Sequence, residues 1–337
     1  MDELRFDGKV VAITGAHHGL GQEHVVLLAQ RGAKVVVNDI GGAKETVARI
    51  KNAGGDAVEN TSDVTDPTGT DQIVRDALET WGRLDVIINN AAWGGGTLPE
   101  PDVVQQTLAV HLIGAINLTR SAMPEFRQQK YGRIVNTGSG SMLGIPQTGV
   151  YAAGKAGLFA YSRVLANELQ AEMRNDPELD IKVNVFLPVA QTPNMPRVPD
   201  EQFQAMLDTA FAPSRTSPLV ALLAHERCPV NGEAIQSGAG RQSRVVLATT
   251  EGWQAPNDLP TPETILEHWD EVMAGKDLQE PVGSMSDLLG RRGEHPYNVA
   301  ELVAWGRAEP VISELTQRAE THAISDTLRK PGTKPPL

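Results

Sequence analysis

The sequence predicts an α/β fold in which helices cover both faces of a mainly parallel sheet. From residue 9 to residue 186, short runs rich in β-branched residues alternate with stretches of helical periodicity, which is the pattern of repeated βαβ units. A glycine-rich turn at residues 14–21 follows the first of these runs, and the alternation stops beyond Gly240. We therefore expect a doubly wound parallel sheet of the Rossmann type with a C-terminal appendage.

Strands and helices are predicted in alternation along the first part of the chain. The predicted strands are residues 9–14, 34–39, 56–62, 85–89, 133–137, 181–186 and 232–237. The predicted helices are residues 19–31, 44–53, 66–81, 102–129 and 149–173. Pro67 lies near the first turn of its helix, where a missing N–H is tolerated. Pro124 is the expected bend in the longest helix.

Prolines punctuate the segment 188–218, which joins the sixth and seventh predicted strands and contains a short predicted helix at residues 201–211. Loops at the carboxyl edge of a parallel sheet hold the ligand. We therefore expect this segment to cover a substrate. The alternative is an ordinary surface connection.

Residues 241–337 are predicted to form a partly helical extension to the domain of residues 1–240. In the extension we expect a strand at residues 244–248, a helix at residues 263–274 and a long helix at residues 298–325.

Composition excludes several classes of protein. The formal charge of −12 argues against a nucleic-acid partner, since phosphate backbones require clustered Lys and Arg. Cys228 is the single cysteine, so intrachain disulfides and cysteine metal clusters are impossible, and no metal site is predicted. No apolar run approaches the ~20 residues that span a bilayer, so no membrane contact is expected. The charged residues 1–7 and the C-terminal Lys-Pro-Pro-Leu are typical of neither a signal peptide nor a peroxisomal address, which favours the cytoplasm.

The glycine turn predicts a dinucleotide site. Small residues let the backbone approach a pyrophosphate, and the N-terminus of the following helix favours its negative charge. The residues expected to contact it are Gly15, Gly19, Leu20 and Gly21. Asp39 closes the second predicted strand, where a carboxylate accepts hydrogen bonds from the adenosine ribose and repels a 2′-phosphate. NAD is therefore expected rather than NADP, a preference that His17 and His18 would weaken if they were charged.

Two further strand ends are candidate contacts of the cofactor. Asp63 and Val64 follow the third predicted strand, where a side chain can reach the adenine; the alternative is a polar residue that leads into a helix. Asn90 and Ala91 close the fourth strand. There an amide can hold the strand edge and a small neighbour can admit the cofactor, although a polar turn residue would look the same.

Tyr151 and Lys155 are the candidate catalytic pair. Residues four apart share one face of a helix. An ammonium beside a phenol favours the phenolate and lowers its pKa from the usual ~10. A proton donor and acceptor poised nearer neutrality suits the interconversion of an alcohol and a ketone. Together with the glycine turn, the pair predicts a nicotinamide-dependent alcohol dehydrogenase.

These motifs resemble those of the short-chain dehydrogenase/reductase family, from residue 9 to about residue 240. The resemblance implies that Tyr151 is the general acid/base, and that Lys155 lowers its pKa and binds the nicotinamide ribose. It also implies a serine that polarises the substrate oxygen. We identify this serine as Ser139, which lies twelve residues before Tyr151, with Ser141 as the substitute. The family usually places it thirteen residues before the tyrosine, where this chain has Gly138.

Other positions match the family pattern only in part. His111 stands where the family has a catalytic asparagine; it either supports a water-mediated proton path or is a buried structural histidine. Pro188 ends the sixth strand and is followed by Val189 instead of glycine. Thr192 keeps the hydroxyl that in the family meets the nicotinamide carboxamide.

Several stretches are similar to one subgroup of the family, the (3R)-hydroxyacyl-CoA dehydrogenase units of multifunctional enzymes type 2, also described as 17β-hydroxysteroid dehydrogenases. They are residues 35–42, His111, and residues 130–134, 218–228, 231–240 and 262–269. The resemblance implies a 3-hydroxyacyl-CoA substrate. A hydroxysteroid or other bulky apolar alcohol is the alternative, and a catalytically retired NAD-binding regulator is the alternative of another class. Family members pair through helices corresponding to residues 102–129 and 149–173, which implies a homodimer or homotetramer.

Overall fold

Eight strands form one sheet in the part of the chain that the structure, a computed structural model, describes: residues 2–94, 96–192, 197–250, 252–253, 255 and 260–275. The strands are β1 (Val10–Thr14), β2 (Lys34–Asn38), β3 (Asp56–Asn60), β4 (Val86–Asn89), β5 (Tyr131–Thr137), β6 (Asp180–Pro188), β7 (Ala234–Gly238) and β8 (Arg241–Val245). Their order is β3-β2-β1-β4-β5-β6-β7-β8. All neighbours are parallel except β7 and β8, which are antiparallel.

Helices follow most of the strands. They are α1 (Gly19–Gln30), α2 (Lys44–Asn52), α3 (Pro67–Trp81), α4 (Pro101–Leu108), α5 (Gly114–Gln128), α6 (Gly149–Asn175), α7 (Glu201–Ala210), α8 (Ser217–Ala224), α9 (Pro262–Glu267) and α10 (Trp269–Val272). Short 3₁₀ turns occupy Gly140–Leu143 and Pro213–Arg215.

Two hydrophobic cores lie on opposite faces of the sheet. Val35 and Val37 of β2 belong to one core, together with residues of α1 and α8. Val36, which lies between them, belongs to the other, together with residues of α3 and α5. Successive strand residues point to opposite faces, and each of these three valines is fully buried. The predicted doubly wound α/β fold is therefore confirmed.

The longest predicted helix is not one regular α-helix. A π-helical segment, Ala109–Ile113, separates α4 from α5. The change of geometry therefore lies at His111, and Pro124 is accommodated inside α5. A π segment adds a residue to one turn and is frequent at functional sites.

The C-terminal boundary of the sheet differs from the expectation. A strand was expected at residues 244–248 in the extension, but β8 pairs with β7 through a turn in which Ala239 and Gly240 have φ of 47° and 81°. Positive φ at both central residues is typical of the two-residue turn of a tight β-hairpin. By its contacts, the chain divides into Met1–Val245 and Val246–Leu337.

Two further differences concern helices. The strongly apolar α8 was not predicted, because a helix that is buried all round shows no periodic polar face. The helix expected at residues 263–274 is divided into α9 and α10. The helix expected at residues 298–325 lies outside the described residues. None of the helices within the described ranges is both long and apolar enough to cross a membrane.

Candidate active site

Helix α6 carries Tyr151 and Lys155 on one face, against the carboxyl end of β5. Lys155 is 2% exposed, and its Nζ donates a hydrogen bond of 2.6 Å to the carbonyl oxygen of Thr137. The same Nζ lies 5.7 Å from the centroid of the Tyr151 ring. The last carbonyl group of β5 therefore holds the ammonium beside the phenol.

Burial dominates the acid–base properties of this pair. It lowers the pKa of Lys155 to about 7, because a charged ammonium is poorly solvated there. Burial also raises the pKa of Tyr151, and the hydrogen bond from Ser139 opposes this rise. Burial therefore sets the direction of the Tyr151 pKa, opposite to the lowering expected from Lys155, since desolvation of the phenolate outweighs the hydrogen bond with Ser139.

Of the two candidate serines, the structure brings Ser139 to Tyr151. The Ser139 hydroxyl forms a hydrogen bond with the Tyr151 side chain and accepts one of 3.2 Å from the backbone N–H of Ser141. Ser141 is 2% exposed, and within the described residues its hydroxyl has no partner. Gly138 stands at the position where the family usually has this serine. A Cβ there would lie 2.7 Å from a side-chain carbon of Leu187 and 2.8 Å from one of Val185, so a serine would require these side chains to move.

The glycine turn gives the backbone conformation that a pyrophosphate site requires. Gly15 and Gly19 have φ of 63° and 62°, a region that side chains disfavour. A Cβ on Gly21 would lie 2.3 Å from the carbonyl oxygen of Gly15. Leu20 lies in the first turn of α1. The turn and the N-terminus of α1 therefore fit a bound pyrophosphate.

Asn90 fastens this turn to β4. Its side-chain Nδ2 donates hydrogen bonds to the carbonyl oxygens of Gly15 (2.9 Å) and Thr14 (3.1 Å). The Thr14 hydroxyl accepts from the backbone N–H groups of Asn90 (3.1 Å) and Ala91 (3.0 Å). Sequence reasoning missed this role of Thr14, for which a hydroxyl at the last position of a strand was the only signal.

The two candidate acidic residues differ in their surroundings. The Asp39 carboxylate accepts backbone hydrogen bonds from His17 (3.2 Å) and Gly41 (3.0 Å), which places it beside the glycine turn. The Asp63 carboxylate instead accepts from the backbone N–H and the hydroxyl of Thr65, each at 2.8 Å. Asp63 therefore forms a local turn, and Val64, its neighbour, is buried.

His111 is a buried neutral histidine in contact with Tyr151. The two rings meet edge to face, with centroids 4.8 Å apart and planes at 85°. Its Nε2 lies 2.8 Å from the carbonyl oxygen of Trp93, and its pKa is lowered to about 3, first by burial and then by Lys155. Its Nδ1 has no partner among the described residues. His111 and Lys155 line a cavity of about 10 Å³, which is close to the smallest volume that can hold one water molecule.

A chain of side-chain hydrogen bonds links β4 and β5 to α6, the helix that carries Tyr151 and Lys155. Asn89 donates a hydrogen bond of 2.8 Å to Asn136, and Asn136 donates one of 2.8 Å to Ser162 of α6. Sequence reasoning did not anticipate this support, because the three residues are far apart in the chain.

A larger cavity of about 510 Å³ separates the start of α1 from the segment that follows β6. Thr192 lines it, whereas Pro188 ends β6. The full lining is Gly19, Gln22, Glu23, Gln191, Thr192, Arg197, Asp208, Pro213 and Ser214. Within the part of the chain that the structure describes, no group of three or more His, Cys, Asp or Glu could hold a metal ion.

Known proteins match both the sequence and the fold. A family model described as short chain dehydrogenase matches residues 9–202. The peroxisomal multifunctional enzyme type 2 of Mus musculus is 33% identical over 312 residues, which cover 85% of this chain and 40% of the mouse protein.

Two solved structures are similar. The full-length peroxisomal multifunctional enzyme type 2 of Drosophila melanogaster has a TM-score of 0.70 and 30% identity, covering 85% of this chain and 49% of that one. A short chain dehydrogenase from Mycobacterium avium has a TM-score of 0.69 and 30% identity. The match covers 80% of this chain and 97% of the Mycobacterium avium chain. The chain thus spans less than half of the mouse and Drosophila multifunctional enzymes and almost all of the bacterial protein. It belongs to the short-chain dehydrogenase/reductase family of oxidoreductases.

Proposed function

We propose that this chain is an NAD-dependent dehydrogenase that interconverts a secondary alcohol and a ketone, with a 3-hydroxyacyl-CoA as its substrate. The observation that carries the proposal is the surroundings of Tyr151, whose hydroxyl forms a hydrogen bond with Ser139 and whose ring centroid lies 5.7 Å from the anchored Lys155 Nζ. The substrate class rests on the similarity to multifunctional enzyme type 2.

The residues divide the acid–base work among themselves. In oxidation Tyr151 accepts the proton of the substrate hydroxyl, and in reduction it returns a proton to the substrate oxygen. Ser139 donates a hydrogen bond to that oxygen and stabilises the developing charge. Lys155, with its pKa near 7, favours the phenolate while it is protonated. The nicotinamide of the cofactor, when bound, accepts or supplies the hydride.

The proposed cofactor is NAD because of Asp39. Its carboxylate lies at the backbone of His17, where it would repel the 2′-phosphate of NADP and accept hydrogen bonds from the ribose of NAD. Fluorescence titration with NADH and with NADPH tests this choice. Tighter binding of NADPH would contradict it.

Exposed apolar side chains near the candidate site support the alternative substrate, a hydroxysteroid or another bulky apolar alcohol. In the loops after β4 and β5, Trp93 is 45% exposed, Leu98 95% and Leu143 61%. Such side chains would suit a hydroxysteroid or another bulky apolar alcohol as well as an acyl chain. A panel assay that follows NADH absorbance with 3-hydroxyacyl-CoA thioesters and hydroxysteroids separates the two classes. Activity toward neither would reject both.

The third alternative, a catalytically retired NAD-binding regulator, would have a damaged proton-transfer set. Tyr151, Lys155 and Ser139 are all present and adjacent, which argues against it. NADH production from any secondary alcohol would reject this alternative.

The proposed assembly is a homodimer or homotetramer. Two exposed apolar residues support it, Ile113 in the π segment (46% exposed) and Val164 on α6 (56% exposed). Light scattering coupled to size-exclusion chromatography measures the assembly directly. The proposed location is the cytoplasm, whereas the mouse relative is named a peroxisomal enzyme; imaging of a tagged full-length protein tests the location.

A further inference from the structure

One arginine lies in the wall of the larger cavity, opposite the glycine turn. Gly19, Gln22 and Glu23 of α1 form one side of this cavity, and Arg197 and Thr192 lie on the other. Arg197 is the single Lys or Arg among the described residues that line it. A dinucleotide seated on the glycine turn would therefore expose the second side of its pyrophosphate to Arg197.

Arg197 forms an exposed ion pair with Asp208, which it can exchange for another anionic partner. Its guanidinium lies 2.9 Å from the Asp208 carboxylate, and the side chains of Arg197 and Asp208 are 68% and 41% exposed. Exposed ion pairs of this kind contribute little to stability. Asp208 also accepts a hydrogen bond of 2.8 Å from the Gln204 side chain, so it keeps a partner when Arg197 departs.

The backbone beside Arg197 is fixed, although its guanidinium is exposed. Gln204 is 4% exposed, and its side-chain oxygen accepts a hydrogen bond of 2.8 Å from the backbone N–H of Val198. This buried amide anchors the chain next to Arg197 to α7. The guanidinium can therefore change partner by side-chain rotation, without a large movement of the backbone.

The charges of the cavity favour a cation contact with a bound pyrophosphate. The N-terminus of α1 offers only the partial positive charge of a helix dipole, whereas a pyrophosphate carries two negative charges. Glu23 is already paired with Arg49, at 2.6 Å. A guanidinium binds phosphate oxygens in a bidentate, charge-assisted manner.

We propose that Arg197 exchanges the Asp208 carboxylate for the pyrophosphate of the dinucleotide cofactor and so binds the cofactor from the side opposite the glycine turn. This inference rests on the proposed function, because it requires a dinucleotide at that turn. Asp208 then acts as the competing partner that holds Arg197 at the edge of the cavity before the cofactor binds.

The test is the dissociation constant of NADH, measured by fluorescence titration, for the wild type and three variants. Arg197→Gln should raise it about tenfold, the loss expected for one charge-assisted contact, and should weaken its dependence on salt. Asp208→Asn should lower it a few-fold, roughly, by removing the competitor. The matched control Arg120→Gln, which breaks another exposed arginine–carboxylate pair, should leave it unchanged.

Ligand fragments locate the contact. Arg197→Gln should weaken the binding of ADP-ribose, which carries a pyrophosphate, and leave the binding of adenosine unchanged. The inference is overturned if Arg197→Gln binds NADH as the wild type does, or if it changes only the KM for an acyl-CoA, which has its own pyrophosphate. A wild type that binds neither NADH nor NADPH would instead overturn the proposed function and this inference with it.

Discussion

The two ends of the parallel strands differ in how their buried polar groups are paired. We call the end at which these strands begin the amino edge of the sheet, and the end at which they finish the carboxyl edge. At the amino edge, the fully buried Asp85 carboxylate accepts hydrogen bonds from the backbone N–H of Val10 (2.9 Å) and from Arg83 (2.6 and 2.8 Å). Arg133, also fully buried, donates to the Asp180 carboxylate at 2.5 Å. It also donates to the carbonyl oxygens of Gly132, Asp180, His225 and Glu226. The charges at this edge are satisfied within the chain.

At the carboxyl edge, several buried polar atoms have no partner among the described residues. They are Nδ1 of His17, Nδ1 of His111, and the hydroxyl oxygens of Thr137, Ser141 and Ser237. An unpaired buried polar atom costs about 1–3 kcal/mol. The comparison teaches that the buried charges at the amino edge are paired within the fold, whereas the carboxyl edge, where the candidate site lies, leaves several buried hydrogen-bonding atoms unpaired.

The largest expected effect at the carboxyl edge is that of Tyr151→Phe. This variant lacks the phenol that is proposed to exchange a proton with the substrate, so kcat should fall at least about 10³-fold. The NADH dissociation constant and the melting temperature should stay close to those of the wild type. Steady-state assays and thermal scans measure both; normal turnover would remove Tyr151 from the mechanism.

At the amino edge, Arg133→Met should act on stability instead. It leaves buried carbonyl oxygens without a donor, so the free energy of unfolding should fall by about 3 kcal/mol. NADH binding by the folded protein should be unchanged. Urea denaturation measures the loss, with the exposed Arg120→Gln as control, for which less than about 1 kcal/mol is expected. Equal losses of unfolding free energy in the two variants would contradict the expectation that the buried charges of the amino edge stabilise the fold.

Substitution of Ser139 and of Ser141 tests which serine of the carboxyl edge contacts the substrate. Ser139→Ala removes the hydrogen bond to Tyr151 and the donor to the substrate oxygen, so kcat should fall about 10²-fold. Ser141→Ala is the matched control and should change kcat less than about threefold, because its hydroxyl is buried without a partner. The reverse order of effects would make Ser141 the catalytic serine.

The smallest expected effect concerns acid stability. His24 is fully buried, and burial lowers its pKa to about 3. Since the ordinary value is 6.5, the unfolded chain takes up a proton below that pH and the folded chain does not. The stability that neutral His24 contributes is therefore complete above pH 6.5 and is lost as the pH falls toward 3.

His24→Phe tests this direction. The variant loses the 2.8 Å hydrogen bond to Ser217 and should be less stable than the wild type at pH 7.5. From pH 6.5 to pH 5, its unfolding free energy should fall less steeply, by roughly 1 kcal/mol per pH unit. Denaturation curves at the two pH values decide the matter; parallel losses would show that His24 does not titrate on unfolding.

Much of the site could be predicted from local spacing. The glycines follow a strand and precede a helix, Asp39 closes the next strand, and Tyr151 and Lys155 are one helical turn apart. Each of these relations is set by the periodicity of the backbone, which is the same wherever the segment packs. The alternation of strands and helices likewise determined the doubly wound sheet.

Tertiary structure decided what depends on distant partners and on burial. The bond from Asn90 to Gly15 spans 75 residues, and the contact of Arg197 with the cavity depends on how the segment after β6 packs. Burial also set the pKa direction of Tyr151, opposite to the expectation from its neighbour alone. Residue spacing carries no information on solvent access or on which remote groups meet, because both arise only when the elements pack together.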